Sequence, residues 1–110
     1  MDKLIIKGGS KITGSIIVHG SKNSALPIIV SSLLSEKTLK LSNVPNVVDV
    51  LNLIKLLKNY GVKIEHKKNK LKINPSKIKN LSADYDVVRK MRASILILGP
   101  LLSRFGEARI

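Results

Sequence analysis

At 110 residues, 44% of them hydrophobic and 25% charged, the chain is long enough to bury one core and too short for two full domains. The absence of cysteine excludes disulfides, thiolate metal sites and a cysteine nucleophile within these residues, and suits a reducing compartment. A net charge of +13 invites a nucleic-acid reading, but sixteen of the twenty cations are Lys scattered among Ile and Asn, and Tyr60, Tyr85 and Phe105 are the only aromatics; with no platform for base stacking, a nucleic-acid partner is disfavoured.

Met1-Asp2-Lys3 leads directly into a strand pattern, without the basic segment and apolar run of a leader, so a cytoplasmic location is expected. Leu4-Ile5-Ile6 reads as a strand, Gly8-Gly9-Ser10 as a turn and Ser15 to His19 as a second strand, together a hairpin-like opening. From Gly20 the pattern changes. Gly20-Ser21-Lys22-Asn23-Ser24 precedes an apolar helix expected to begin at Asn23 or Ser24, to run to Leu34 and to be mostly buried, with Pro27 tolerated near its start. The open N–H groups of such a helix start, its dipole and the Lys22 charge together favour an anion.

Thr38 to Leu41 alternates like a half-buried strand, and Asn43-Val44-Pro45-Asn46 carries the chain into a helix with Asn46 as the expected cap. Val47, Val50, Leu51, Ile54, Leu57 and Tyr60 follow helical spacing, and Gly61 stands where a C-terminal stop belongs. Val62–His66 and Leu71–Asn74 alternate apolar and polar residues, and Lys67–Lys70 joins them as a hairpin. After Pro75 a connector leads to Asp86, from which an apolar helix is expected to run to Gly99, with Pro100 bending or restarting it. The apolar run Ile95–Leu102 is far too short to cross a bilayer, and no membrane partner is expected.

The chain also resembles itself at an offset of about 68 residues, Ala25 through Ser35 against Ala93 through Ser103. Each copy is an apolar helix beginning beside cations, Lys22 in one and Lys90 with Arg92 in the other, and two such starts could converge on one anionic ligand. The fold class expected is α/β (α+β), with the second copy breaking off within Glu107–Ile110.

Three separated blocks, Gly20–Pro27, Asn43-Val44-Pro45 with Asp49-Val50, and Lys90–Ile95 with Leu98-Gly99-Pro100-Leu101, resemble the UDP-N-acetylglucosamine 1-carboxyvinyltransferase family of enolpyruvyl transferases. Gly61 and Tyr85-Asp86 are also in place. The resemblance implies a fold of repeated βαβαββ units, incomplete in this chain. Residues 1–21 would be strands of the family's second domain, and residues 22–110 the first unit and the start of the second unit of its first domain. It implies transfer of the enolpyruvyl group of phosphoenolpyruvate to the 3′-hydroxyl of UDP-N-acetylglucosamine with release of phosphate, a step of peptidoglycan synthesis. Lys22 and Asn23 match positions that hold phosphoenolpyruvate and neighbouring groups, Arg92 a position assigned to the UDP-sugar, and Asp49 is a candidate partner for Lys22. No cofactor or metal is implied; His19 and His66 lack a metal-ligand spacing. The proton donor of the family lies in a Gly-rich loop beyond the position matched by Ile110, so no catalytic acid is assigned and the 110 residues alone are expected to be inactive. The 3-phosphoshikimate 1-carboxyvinyltransferases share the fold and the lysine, whereas Asn23 before Ala25-Leu26-Pro27 argues for the amino-sugar enzyme. A non-catalytic basic nucleic-acid-binding remnant is the reading from a different class.

Overall fold

The computed structural model describes residues 1–79, 81–82, 88–89 and 92–109. Helix α1 spans Lys22–Ser31 and tightens into a 3₁₀ turn at Ser32–Leu34. Strand β1 (Leu39–Leu41) follows, then α2 (Val48–Asn59), β2 (Lys63–Lys67), β3 (Lys70–Asn74), a 3₁₀ segment Arg92–Ile97 and α3 (Leu98–Phe105). The sheet order is β1-β3-β2 with both pairings antiparallel, so β1 and β2 run the same way on either side of β3. This is a βαβ unit split by a third strand.

Period-two alternation sorts the sheet's side chains. Leu39, Ile73 and Ile64 lie in one row across it and Leu41, Leu71 and His66 in the next, and these rows face the core. Between them Lys40, Lys72 and Glu65 form an exposed row on the solvent face. Helix α2 supplies the other half of the core from Val50, Leu53, Ile54, Leu56 and Leu57, all at most 5% exposed, the 3.6-residue period turning these positions to one side. Its end is a Schellman motif. Gly61 at φ 97° donates to the Lys58 carbonyl (3.0 Å), and Val62 donates to that of Leu57 (3.2 Å).

Several expectations are corrected. Residues 1–21 contain no strand; Leu4, Ile5, Ile6, Ile16, Ile17 and Val18 are 77–92% exposed. An isolated hairpin is marginal without an apolar face to lie on, and the helices are already occupied by the three-stranded sheet. Helix α1 begins one residue earlier than expected, with Ser21 extended (φ −84°, ψ 132°) and its carbonyl accepting the Ala25 N–H at 2.9 Å. Asn23 is therefore a first-turn residue, not the cap. Pro27 is the sixth helical residue, past the N–H groups that are free anyway, so the Asn23 carbonyl loses its intrahelical donor. The burial of α1 is one-sided: Leu26, Ile29, Val30 and Leu33 are buried, whereas Ile28 and Leu34 are 47% and 56% exposed.

Strand β1 starts at Leu39, one residue after Thr38. Val47, not Asn46, precedes α2 as its cap residue, accepting the Leu51 N–H at 3.1 Å. Gly99 does not end the helix: it and Pro100 lie in the first turn of α3, which continues directly from the 3₁₀ segment, and Gly106 at φ 76° stops it by donating to Leu102. The two similar segments both form helix but in opposite order, α before 3₁₀ in the first and 3₁₀ before α in the second. Beyond α3, among the described residues, Ser82 and Arg109 form an isolated parallel bridge. Asn80, Ala83 to Val87 (with Tyr85 and Asp86), Lys90, Met91 and Ile110 lie outside the described residues.

Candidate functional site

The starts of α1 and α2 face one another across a lysine's length. Lys22, the first residue of α1, places Nζ 2.8 Å from Oδ2 of Asp49 in the first turn of α2. Asp49 sits well there because the positive end of a helix dipole stabilises a carboxylate. Both side chains remain open to solvent, 48% and 42% exposed. Among the α1 residues beside Lys22, Asn23 and Ser24 are exposed, and their backbone N–H groups have no partner within the helix. The arrangement offers an anion one ammonium, paired with Asp49, and a fan of amide donors.

The loop after β1 forms the adjacent wall. Asn43 lies in the left-handed region at φ 55°, which Asn tolerates better than most residues. Its Oδ1 accepts the Gly20 N–H at 3.2 Å and its Nδ2 donates to the Val18 carbonyl at 3.4 Å. Gly20 is required by contact: a Cβ there would lie 1.8 Å from the Asn43 carbonyl oxygen. Val44 in turn donates to Asn69 in the β2–β3 turn at 2.9 Å. A cavity of about 180 Å³ opens between this loop and the first turns of α1, bordered by Gly20, Ser21, Ser24, Asn43 and Pro45.

Arg92 is exposed at the start of a 3₁₀ segment that packs against α1, placing its cation on an element touching the one that carries Lys22 and Asn23. The histidines lie elsewhere. His19 borders a second depression beside Asn43 and Asn69, and His66 is half-buried in the inner row of the sheet with Nε2 unpartnered among the described residues. A depression of about 400 Å³ on the solvent face of the sheet, between Lys40, Lys67, Lys70, Lys72 and Glu65, contains none of the residues singled out from sequence.

Two residues that sequence reasoning passed over matter here. Asn43 was legible as part of a turn, and its block as part of the resemblance, but nothing in the order of residues shows its amide reaching Gly20. Arg104 stands in α3 with Nη1 within 3.0–3.2 Å of the Leu33, Ser35 and Pro75 carbonyls. It joins the end of the α1 segment to the end of β3 and to α3.

The family model of EPSP synthase (3-phosphoshikimate 1-carboxyvinyltransferase) matches residues 6–110. A UDP-N-acetylglucosamine 1-carboxyvinyltransferase of Campylobacter hominis is 51% identical over 111 aligned positions, and those of Sulfurovum sp. and Geotalea uraniireducens are 50% and 48% identical over 110. Each alignment covers the whole of this chain and 26–27% of the relative, so the chain spans about a quarter of the length of the relatives it matches. The crystal structure of the enolpyruvyl transferase NikO from Streptomyces tendae superposes with a TM-score of 0.77 over 92% of this chain and 24% of that one, at 20% identity, a likeness of fold.

Proposed function

The chain belongs to the EPSP synthase (enolpyruvyl transferase) family, and from that premise we propose that it supplies part of the substrate site of an enzyme moving the enolpyruvyl group of phosphoenolpyruvate to the 3′-hydroxyl of UDP-N-acetylglucosamine. The observation that carries the reading is 48–51% identity, along the whole chain, to relatives named for that reaction.

In this reading Lys22 is an electrostatic clamp on the phosphoenolpyruvate anion, acting with the open amides of the first turn of α1. Asn23 offers an amide donor and an acceptor to a sugar or acetamido group, and Arg92 a planar fork for the UDP phosphates. Attack of the hydroxyl on the enol carbon, with a proton delivered to the methylene, forms a tetrahedral adduct; loss of phosphate and of a methyl proton completes the transfer. Fixed positive charge that need not reorganise serves the adduct's carboxylate and phosphate. Neither the acid nor the base is assigned to these residues, so the 110 residues alone are expected not to turn over. Residues 1–21 are assigned to the second domain, a reading supported by the apolar runs Leu4-Ile5-Ile6 and Ile16-Ile17-Val18, whose side chains are exposed. A cytoplasmic location belongs to the same proposal, supported by the phosphoenolpyruvate and UDP-sugar the reaction would consume.

A fusion of this chain to the complementary three quarters of the Campylobacter hominis relative tests the proposal. It should release phosphate from phosphoenolpyruvate with UDP-N-acetylglucosamine and not with shikimate 3-phosphate, and Lys22→Ala should lower the rate about a hundredfold or more. A folded fusion without UDP-sugar-dependent release would overturn it.

A further inference from the structure

We infer that Asn43 is a positioning residue for Lys22: its side-chain amide clasps the chain at Val18 and Gly20 and so sets where the ammonium stands. The inference rests on the substrate role proposed for Lys22, and its test needs no substrate.

The start of α1 lacks its own fastening. Ser21 makes no side-chain cap bond, leaving its carbonyl bond to Ala25 as the local constraint. The ion pair with Asp49 cannot fix Lys22 unaided, because two half-exposed partners at 2.8 Å compete with water and hold each other only weakly. The missing constraint comes from across the chain. Asn43 accepts from Gly20 and donates to Val18, bridging 23 and 25 residues of sequence. The donor and acceptor ends of the amide are set by these partners, since an N–H needs the oxygen and a carbonyl needs the nitrogen. Gly20 packs its Cα against the Asn43 carbonyl so closely that no side chain fits between them.

This loop is itself immobilised, Val44 N–H bonding to Asn69 in the β2–β3 turn at 2.9 Å. A continuous path runs from the sheet through Val44 and Asn43 to Gly20 and then to Lys22. The same loop continues through Pro45 into α2, which carries Asp49. Both members of the ion pair are therefore placed by one short segment, and the left-handed φ of Asn43 is the bend that lets its side chain face the incoming chain.

The test is Asn43→Gly in the 110-residue chain, which removes the amide while keeping a residue at ease with φ 55°. Hydrogen exchange of the Gly20 amide should accelerate about tenfold, as expected for the loss of one bond of modest net strength. Proton cross-peaks between the Lys22 Cε and Asp49 Cβ methylenes should vanish, while the β2–β3 amides keep their exchange rates. Gly20→Ala, which pushes the same contact apart from the other side, should lose the same cross-peaks. Persistence of the Lys22–Asp49 cross-peaks in Asn43→Gly would overturn the proposal, as would an unchanged Gly20 exchange rate. Collapse of the hairpin amides in that variant would make Asn43 a fold determinant and would also refute a positioning role.

Discussion

Replacing Arg104 by Ala should remove a polar junction that ties three carbonyls from separate segments to one nitrogen. The Arg104 side chain is 12% exposed, and its Nη1 lies 3.2, 3.2 and 3.0 Å from the carbonyls of Leu33, Ser35 and Pro75. One nitrogen carries two hydrogens, so three acceptors share two donors and only two full bonds can be counted. At about 1.5 kcal/mol for a bond from a charged donor, the loss is about 3 kcal/mol. Glu36 adds little to this figure: its Oε1 is 3.8 Å from Nη2 and its side chain is 80% exposed. Urea unfolding followed by circular dichroism should show Arg104→Ala shifted down by that amount with an unchanged slope, and Glu36→Ala within about 0.5 kcal/mol of the parent. Arg104→Lys keeps the charge and three donors on a different geometry and should fall between. A loss below about 1 kcal/mol for Arg104→Ala would show that water replaces the guanidinium at these carbonyls, and the reasoning would fail.

Gly61→Ala should lower the thermal midpoint by several degrees, since φ is 97° and a Cβ would meet the Lys79 nitrogen at 2.9 Å and the Lys77 carbonyl oxygen at 3.0 Å; an unchanged midpoint would contradict the crowding. Tyr60 buries a hydroxyl without a partner among the described residues, so Tyr60→Phe should leave stability near neutral pH unchanged or raise it by up to about 1 kcal/mol. Burial also raises the Tyr60 pKa above its ordinary value. Above about pH 10 the unfolded phenol gives up its proton before the folded one, so stability should fall as pH rises there, and Tyr60→Phe should lack that part of the fall. Deleting residues 1–17 should change the unfolding free energy by less than about 1 kcal/mol, because the removed side chains are not part of the core, and should raise solubility by removing exposed apolar surface; a large loss of stability would mean that this segment packs on the body in solution.

What was legible in the sequence was what local periodicity dictates. The apolar positions of α2 at Val50, Ile54 and Leu57 and the stop at Gly61 follow from a 3.6-residue repeat and a residue free to take positive φ. The β2–β3 hairpin follows from alternation and a polar turn, and the structure places that turn at Lys68-Asn69. The Gly20–Pro27 stretch was legible as a helix start beside a cation, and the family was legible from three blocks in order. The start of α1 was misplaced by one residue because Ser21, Asn23 and Ser24 are all competent caps, and local preference alone does not choose among them. No strand forms before Gly20 in this chain for a related reason: an apolar run states that a strand would be buried, but not whether anything is present to bury it against.

The sequence by itself therefore determined the class of fold, the order of most of its elements, the family and the residue types offered to an anion. Tertiary structure decided which of those residues meet. Lys22 reaches Asp49 because two helix starts are brought side by side, Gly20 is indispensable because the Asn43 backbone passes against it, and Arg104 becomes a junction because three carbonyls from distant segments converge on one nitrogen. Each of these depends on loop closure and packing across the whole chain, whereas helix and strand periods are properties of a few neighbouring residues.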